Sequence, residues 1–329
     1  MVKQHKKIAA LLATLAFGSL AAVPLTVKAG TETTATGKEA KQATVEPAPQ
    51  SNITGDIGFA FVSTYYSRGI LQGPQGKAGF DFQPYMDLYF KLYEDDNAAF
   101  LNKVQLQLSF WANVASDTKP KYGGATNQGI RNWTEFDWMP GVQFTLAKNF
   151  TLTVSYFEFD YPSQGASPQR SINSTIAYND SGLLGTWALN PHFTFLQEIT
   201  GNNNSGGGHA GLGYGPGGPG TGNKLGQYYE PGIAPSFTFM KSSKYPITLT
   251  LPVTVGLGSS GFYGTGFGYV SAGGNFSVPL AFIPSSFGAW TANVGGTYYY
   301  LGKTLATQNS QYGWAPDAGV ATIGLGLTF

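Results

Sequence analysis

The stretch Gly319-Val320-Ala321-Thr322-Ile323-Gly324-Leu325-Gly326-Leu327-Thr328-Phe329 decides the fold. Every second residue from Ala321 to Phe329 is apolar, and the residues between them are glycine or threonine. A period of two is that of a β-strand, whose side chains alternate between two faces. The pattern predicts a strand with one face apolar enough for lipid and the other small and polar enough for a barrel lumen.

The same alternation recurs from Gly55 onward, and it is clearest over residues 80–92, where no helix would segregate the side chains so completely. We count segments at 55–68, 80–92, 103–115, 133–146, 150–159, 170–178, 192–200, 227–240, 247–257, 267–280, 290–301 and 318–329. Most of them are long enough to cross a bilayer as tilted strands. We therefore predict an all-β fold, a transmembrane antiparallel β-barrel of about 12 strands covering residues 54–329.

The connections support an even number of strands. Those that follow odd segments are mostly long and polar, with 116–132, 201–226 and 303–316 the longest. Those that follow even segments are mostly short, although 179–190 is an exception. Membrane barrels have short periplasmic turns and long outer loops, so the pattern predicts periplasmic termini and an extracellular 201–226 loop.

Composition favours this barrel over a soluble secreted β-sandwich. Charged residues make up 11% of the chain, well below the roughly one quarter that is usual in soluble domains. Aromatic residues make up 15%, and 45 residues are glycine. Beyond residue 29, no unbroken apolar run is long enough for a membrane helix. There is no cysteine, so neither architecture would be held together by disulfides.

The first 29 residues predict a secretory signal peptide. Lys3, Lys6 and Lys7 precede an apolar run, and 27–29 provides a small-residue cleavage site. A membrane anchor is the weaker alternative, because glycine, serine and proline interrupt the run. Residues 30–53 lack apolar periodicity and predict a disordered periplasmic leader. The sequence thus points to the bacterial outer membrane.

Without residues 1–29, which hold four lysines and no acid, 15 basic residues face 18 acidic ones, a net charge of −3. This mild acidity argues against a nucleic-acid partner.

Charged residues on the polar parity of the strands form the candidate site. A charge facing lipid is costly near the bilayer midplane, so these side chains are expected to line the pore. They are Arg68, Asp81, Asp87, Lys91, Lys103, Glu135, Asp137, Glu198 and Glu230. Strand direction places Arg68, Asp81, Glu135, Asp137 and Glu198 toward the outer mouth, and Lys91 and Lys103 toward the periplasmic mouth. Two interpretations stay open: a selectivity filter, or pairs that only fill the wall.

Nothing in the sequence indicates catalysis, so we predict no enzyme, no catalytic residue, no metal site and no cofactor. Beyond residue 29 the histidines are His192 and His209, and no G-x-S-x-G elbow is present. The G-x-G-x-x-G match at 213–218 contains proline and lies in a glycine-rich segment without a βαβ unit. H-E-x-x-H is absent, and 95–97 lacks calcium-loop spacing.

Tyrosines near the ends of the segments predict the aromatic girdles of a membrane barrel. Ordinary β-propensity is the alternative explanation. The residues concerned are Tyr65, Tyr66, Tyr89, Tyr93, Tyr228, Tyr229, Tyr298, Tyr299 and Tyr300.

Several short motifs between residues 55 and 162 resemble the TorF-like porin family, outer-membrane β-barrels of unknown function. They are Gly55-Asp56-Ile57-Gly58, Thr64-Tyr65-Tyr66-Ser67-Arg68-Gly69-Ile70, Phe110-Trp111-Ala112-Asn113-Val114, Glu135-Phe136-Asp137 and Tyr161-Pro162. The resemblance implies a presumed porin and says little about its substrate. Separately, Phe329 on an alternating last strand resembles the assembly signal of outer-membrane barrels.

These observations predict a weakly cation-preferring outer-membrane channel for passive diffusion of small polar solutes. A structural or adhesive barrel with a sealed lumen is the alternative. The expected partners are outer-membrane lipid, the barrel-assembly machinery, and small polar solutes or ions.

Overall fold

The computed structural model describes residues 51–71, 80–116, 132–162, 166–200, 225–310 and 316–329. The predicted signal peptide and nearly all of the predicted leader lie outside these residues, as do His209 and most of the 201–226 loop.

Twelve strands form the wall. They are β1 (Ile53–Val62), β2 (Asp81–Glu94), β3 (Leu101–Ala115), β4 (Trp133–Leu146), β5 (Phe150–Tyr161), β6 (Ala166–Tyr178), β7 (His192–Thr200), β8 (Gln227–Ile233 and Ser236–Phe239), β9 (Ile247–Thr250 and Val253–Gly258), β10 (Phe267–Pro279), β11 (Ala289–Leu301) and β12 (Asp317–Thr328). Strands β8 and β9 are each interrupted next to a proline, Pro235 and Pro252, because proline cannot donate to the ladder. The Leu251 amide still donates to the Pro235 carbonyl at 2.8 Å, so the wall continues across the break.

The sheet closes on itself. Each strand pairs antiparallel with the next, and β12 returns to β1 with Thr328 opposite Asp56 and Thr322 opposite Val62. Phe329 and Gly55 extend this seam through reciprocal amide–carbonyl hydrogen bonds of 2.9 and 3.0 Å. A closed barrel leaves no unpaired strand edge, which is the condition for crossing a bilayer with strands. The predicted twelve-stranded antiparallel barrel is confirmed.

The outward face of the wall is apolar around the barrel. Its exposed side chains include Ile57, Phe61, Leu106, Val154, Ile176, Phe193, Val253, Phe276, Val294 and Ile323. They belong to the parity opposite that of the buried polar residues, as the alternation predicts. A continuous apolar belt of this kind is stable in lipid and would be a large exposed patch in water.

No helix in the described part of the chain is long and apolar enough to cross a membrane.

The barrel has two different mouths. We call the mouth with the short connections the turn mouth, and the opposite one the loop mouth. The turn mouth holds connections such as 147–149, together with both ends of the barrel chain, Ile53 and Phe329. Its long 179–190 link contains the short helix α1 (Ser181–Leu184) and a 3₁₀ turn, Gly185–Trp187.

Three connections at the loop mouth fold inward. They are the inner hairpin, whose two short strands are Tyr66–Ser67 and Ile70–Leu71, the turn at 259–264, and the helix α2 (Lys303–Ser310). Together we call them the plug. The first alternating segment was predicted to continue to Arg68, but β1 ends at Val62. The chain leaves the wall there because the next residues pack inside the barrel, where Tyr65 is 4% exposed.

The plug also corrects the girdle prediction. Tyr65, Tyr66, Tyr89, Tyr228 and Tyr299 are buried inside the barrel, whereas Tyr93, Tyr298 and Tyr300 are exposed on its surface. Tyr229 is half-buried. Position near a strand end therefore did not decide the environment of these rings: Tyr66, Tyr228 and Tyr299 belong to the apolar core that the plug creates at the loop mouth.

Candidate functional site

The loop half of the lumen contains a packed aromatic core. Phe262 and Tyr263 of the 259–264 turn and Leu305 of α2 are fully buried. They join rings that point inward from the wall: Phe157, Phe159, Tyr228, Tyr269 and Tyr299. Ring centroids are 5.2 Å apart for Tyr228 and Phe262, and 5.4 Å apart for Tyr66 and Tyr299. Contacts of this kind resemble a protein core more than a water-filled pore.

Glycines in the wall make room for these rings. A Cβ on Gly256 would lie 2.1 Å from the ring of Tyr269, and one on Gly268 would lie 2.3 Å from that of Tyr263. Both distances are impossible for real atoms, so the rings lie flat against bare backbone. Part of the high glycine content thus serves the packing of inward aromatics.

Polar contacts tie the three plug segments together. The Asn309 amide of α2 donates to the Gly69 carbonyl at 3.1 Å, and its oxygen accepts from the Leu71 amide at 3.3 Å. The Tyr263 hydroxyl donates to the Arg68 carbonyl at 2.8 Å. The plug is therefore one connected body rather than three independent loops.

Beside this core, strands β2, β3 and β4 present buried polar groups. We call this set the acidic wall: Asp81, Gln83, Asn113, Glu135 and Asp137. Gln83 donates to the Asn113 oxygen at 3.0 Å, and Asn113 donates to Thr134 at 2.7 Å and to Asp81 at 3.5 Å. These bonds order the amides between the carboxyl groups.

Two carboxyl groups of the acidic wall lie next to each other on β4. The Tyr65 hydroxyl donates to Glu135 Oε1 at 3.3 Å, and the Tyr65 ring lies 5.0 Å from that of Trp111. Asp137 is 7% exposed, its carboxyl group lies within hydrogen-bonding reach of that of Glu135, and its Oδ1 accepts no bond from an N–H or hydroxyl donor of the described residues. A buried acceptor without a partner is costly and marks a position where a donor would bind.

Arg68 stands at the tip of the inner hairpin, between the aromatic core and the acidic wall. Its guanidinium lies 5.3 Å from the centroid of Phe159 and 5.7 Å from that of Tyr228. Phe159 is the cross-strand neighbour of Asp137. Even so, no carboxylate of the described residues lies within 4.0 Å of Arg68. Arg68 therefore forms no direct ion pair with the described carboxylates of the acidic wall.

The other acids near the loop mouth have defined structural partners. Glu198, 2% exposed, accepts from the Gly226 amide at 2.6 Å. Glu230 lies under the plug and accepts hydrogen bonds from the hydroxyls of Tyr228 and Tyr269. Both carboxylates face inward, and both also hold the wall or the plug in place.

The remaining predicted residues lie toward the turn mouth. Asp87 is half-buried opposite Asp56, which accepts from the Tyr85 hydroxyl at 3.2 Å. Lys91 pairs with Glu94 at 2.9 Å, and Lys103 approaches the same carboxylate at 4.0 Å. Asp56 and Glu94 were not among the predicted site residues, although Asp56 has the inward parity of β1.

Among the described strand residues, four charged ones face outward, against the rule that we used to choose site residues; one of them, Asp317, lies opposite the exposed Tyr300 at the loop end of β12. Arg170 and Glu158 are cross-strand partners paired at 2.9 Å, and Asp160 follows on the same face of β5. Tyr156 donates to Glu158, and its ring lies 5.6 Å from Trp138. Their position near the loop mouth, next to aromatic side chains, is typical of the headgroup region, where a charge costs little.

His192 is the histidine among the described residues. His192 packs against Gly232 at the turn mouth, and its Nε2 has no hydrogen-bond partner among them. No group of three His, Cys, Asp or Glu in the described ranges could hold a metal ion.

Several aromatic residues that shape the site were not predicted to lie inside the barrel. Phe159 and Tyr228 share the inward parity of Asp137 and Glu230, so the alternation carried a signal. Tyr228 was predicted to lie in an aromatic girdle because it is near a strand end, and Phe159 was not among the predicted site residues.

No family model and no curated protein sequence matches the chain, so the TorF-like resemblance stays a prediction. Among solved structures, the NanC porin is similar at 7% identity, with 84% of this chain and 100% of that chain covered and a TM-score of 0.41. OprB of Pseudomonas putida is similar at 8% identity, with 84% of this chain and 94% of that chain covered and a TM-score of 0.38. The β domain of the Bordetella autotransporter BrkA is similar at 9% identity, with 84% of this chain and 99% of that chain covered and a TM-score of 0.38. These values are too low for a property of those proteins to be transferred to this chain.

Proposed function

We propose that this chain is an outer-membrane channel for small polar solutes, with a weak preference for cations and with the plug limiting its conductance. The observation that carries the proposal is the excess of inward carboxylates at the acidic wall. Carboxylates in a wall of low dielectric attract cations and repel anions.

The charge balance inside the barrel supports cation preference. Lys91 and Lys103 share Glu94, whereas the cationic group near Glu135 and Asp137 among the described residues is the Arg68 guanidinium. The preference is expected to be weak, since salt screens charges beyond about 8–10 Å.

The plug favours a second candidate, a structural barrel whose lumen is sealed. Its fully buried rings and its three mutually bonded segments would support that function without any flow of solute. A sealed barrel and a plugged channel differ in one respect: only the channel conducts, at rest or when the plug is loosened.

Reconstitution of the full chain in planar bilayers under a KCl gradient tests both candidates. We expect a small conductance and a cation-selective reversal potential. Replacing Glu135→Gln together with Asp137→Asn should move that potential toward zero. The matched control, Glu158→Gln with Asp160→Asn, removes the same charges from the outward face and should leave it unchanged.

Two outcomes would contradict the proposal. Anion preference in the wild type would show that the acidic wall does not face the solute path. Absence of conductance, even after Phe262→Ala loosens the plug, would favour the sealed structural barrel.

A further inference from the structure

Arg68 is held at an unusual backbone conformation. Arg68 and Gly69 have φ values of 49° and 76°, and they form the two-residue tip between Ser67 and Ile70. Two successive positive φ values are those of a type I′ turn, which favours asparagine and glycine. An arginine there is uncommon. The inner hairpin thus fixes the start of the Arg68 side chain instead of leaving it free to move.

The guanidinium occupies a place built for a planar cation. It contacts the rings of Phe159 and Tyr228, which are 3% and 1% exposed. Cation–π attraction grows when the rings and the cation are withdrawn from water. Asp137, which is 7% exposed, lies opposite Phe159 and has an unpartnered Oδ1.

The Arg68 guanidinium nevertheless does not make the carboxylate hydrogen bonds that this site offers. Its side-chain hydrogen bond within the described residues is a 3.3 Å contact to Ser67, its own neighbour. Guanidinium groups bind carboxylates through two parallel hydrogen bonds, which are stronger than a neutral contact. Neither Glu135 nor Asp137 receives such a bond from Arg68, because both lie beyond 4.0 Å from it.

We propose that Phe159, Tyr228, Glu135 and Asp137 form a binding site for a solute that carries a guanidinium group, and that Arg68 is its built-in competitor. The inference rests on the proposed function and names the class of solute at the same site. A free guanidinium could stack on the same rings and also reach the Asp137 oxygen. Its chain connections prevent Arg68 from doing so.

Displacement of Arg68 would act on the plug. The Arg68 carbonyl accepts the Tyr263 hydroxyl, and the adjacent Gly69 carbonyl accepts from Asn309 of α2. A solute that moves the hairpin tip therefore disturbs the bonds that join all three plug segments. Binding of the solute and loosening of the plug would be linked.

Calorimetric titration of the folded full chain in detergent with methylguanidinium chloride tests the site, with methylammonium chloride as the control cation. Removing a competitor raises the fraction of empty sites, so Arg68→Ala should bind methylguanidinium at least about tenfold more tightly than wild type. Adding Asp137→Asn to that variant should abolish the gain. Arg170→Ala, which removes an outward arginine, should leave binding unchanged. Arg68→Gln serves as a second variant of similar length, and heat-modifiable mobility identifies folded protein.

The proposal is overturned if neither Arg68 variant binds methylguanidinium more tightly than wild type. Equal gains for methylammonium would also overturn it, since they would show only a general electrostatic effect. Because this assay measures binding without flow, intact binding in a barrel that never conducts would contradict only the proposed channel. Conductance without methylguanidinium binding would contradict only the present inference.

Discussion

The two halves of the lumen share one wall and differ in what fills it. In the loop half, inward positions outside the acidic wall carry large rings such as Tyr228 and Tyr269, which pack against the plug and are almost fully buried. In the turn half, many inward positions carry small hydroxyl and amide groups that remain partly exposed, although Tyr89 of β2 is a buried ring. Examples are Thr175 bonded to Thr194 at 3.0 Å and Ser277 bonded to Asn293 at 2.6 Å.

The difference teaches how one alternating pattern can serve two purposes. Inward rings need other apolar surface, and the connections at the loop mouth provide it. Inward hydroxyls and amides bond to their cross-strand neighbours and can still face water. Closure of the barrel therefore depends on the strands, while obstruction of the lumen depends on the connections.

The largest effect is expected where the turn half closes the barrel. The Phe329 ring covers Gly55, and their backbones exchange two hydrogen bonds at the seam. Phe329→Asp should sharply reduce the amount of assembled barrel, whereas Phe329→Tyr should preserve it. Heat-modifiable mobility of membrane fractions measures this. Equal yields for the two variants would show that the ring does not contribute to closure.

A smaller effect is expected from loosening the loop half alone. Phe262→Ala empties a fully buried position and should cost about 3–5 kcal/mol of unfolding free energy. It should also raise ion conductance, because the plug loses its central ring. Thr175→Ala, in the turn half, should cost about 1 kcal/mol and leave conductance unchanged. Urea unfolding and bilayer recordings compare the two variants. Similar losses of unfolding free energy would contradict the proposed difference between the halves.

The packing of an inward ring against a wall glycine gives a finer test of the loop half. Gly256→Val would place a side chain where the Tyr269 ring lies, so overpacking should cost about 1–3 kcal/mol. Gly266→Ala is the control, because a Cβ there meets nothing within 4 Å. Unfolding in urea measures both variants. A neutral Gly256→Val would mean that the ring is free to move aside.

The smallest effect is expected at the turn mouth. Glu94→Gln should release Lys91 and Lys103 from their shared carboxylate. Partly exposed ion pairs contribute less than about 1 kcal/mol, so stability should hardly change. The two free ammonium groups should slightly weaken cation preference in a KCl gradient. A shift as large as that of the Glu135 and Asp137 double variant would place the main filter at the turn mouth.

The sequence alone determined the barrel. Alternation at Ala321–Phe329 and in eleven other segments specified the strands. Parity within a strand placed Asp81, Glu135, Asp137 and Glu230 on the inward face, because the two faces of a strand are a local property of the chain. The rule failed for four charged residues near the loop mouth, Glu158, Asp160, Arg170 and Asp317, since depth in the bilayer is not encoded in parity.

Only the tertiary structure decided what stands inside the barrel. Tyr263 bonds to Arg68 across 195 positions of sequence, and Asn309 bonds to Gly69 across 240. No local pattern brings such residues together; the closed wall does so by fixing where the loop connections start and end. Tyr65 and Tyr228 are therefore core residues rather than interfacial ones because connections from distant parts of the chain pack around them within the barrel.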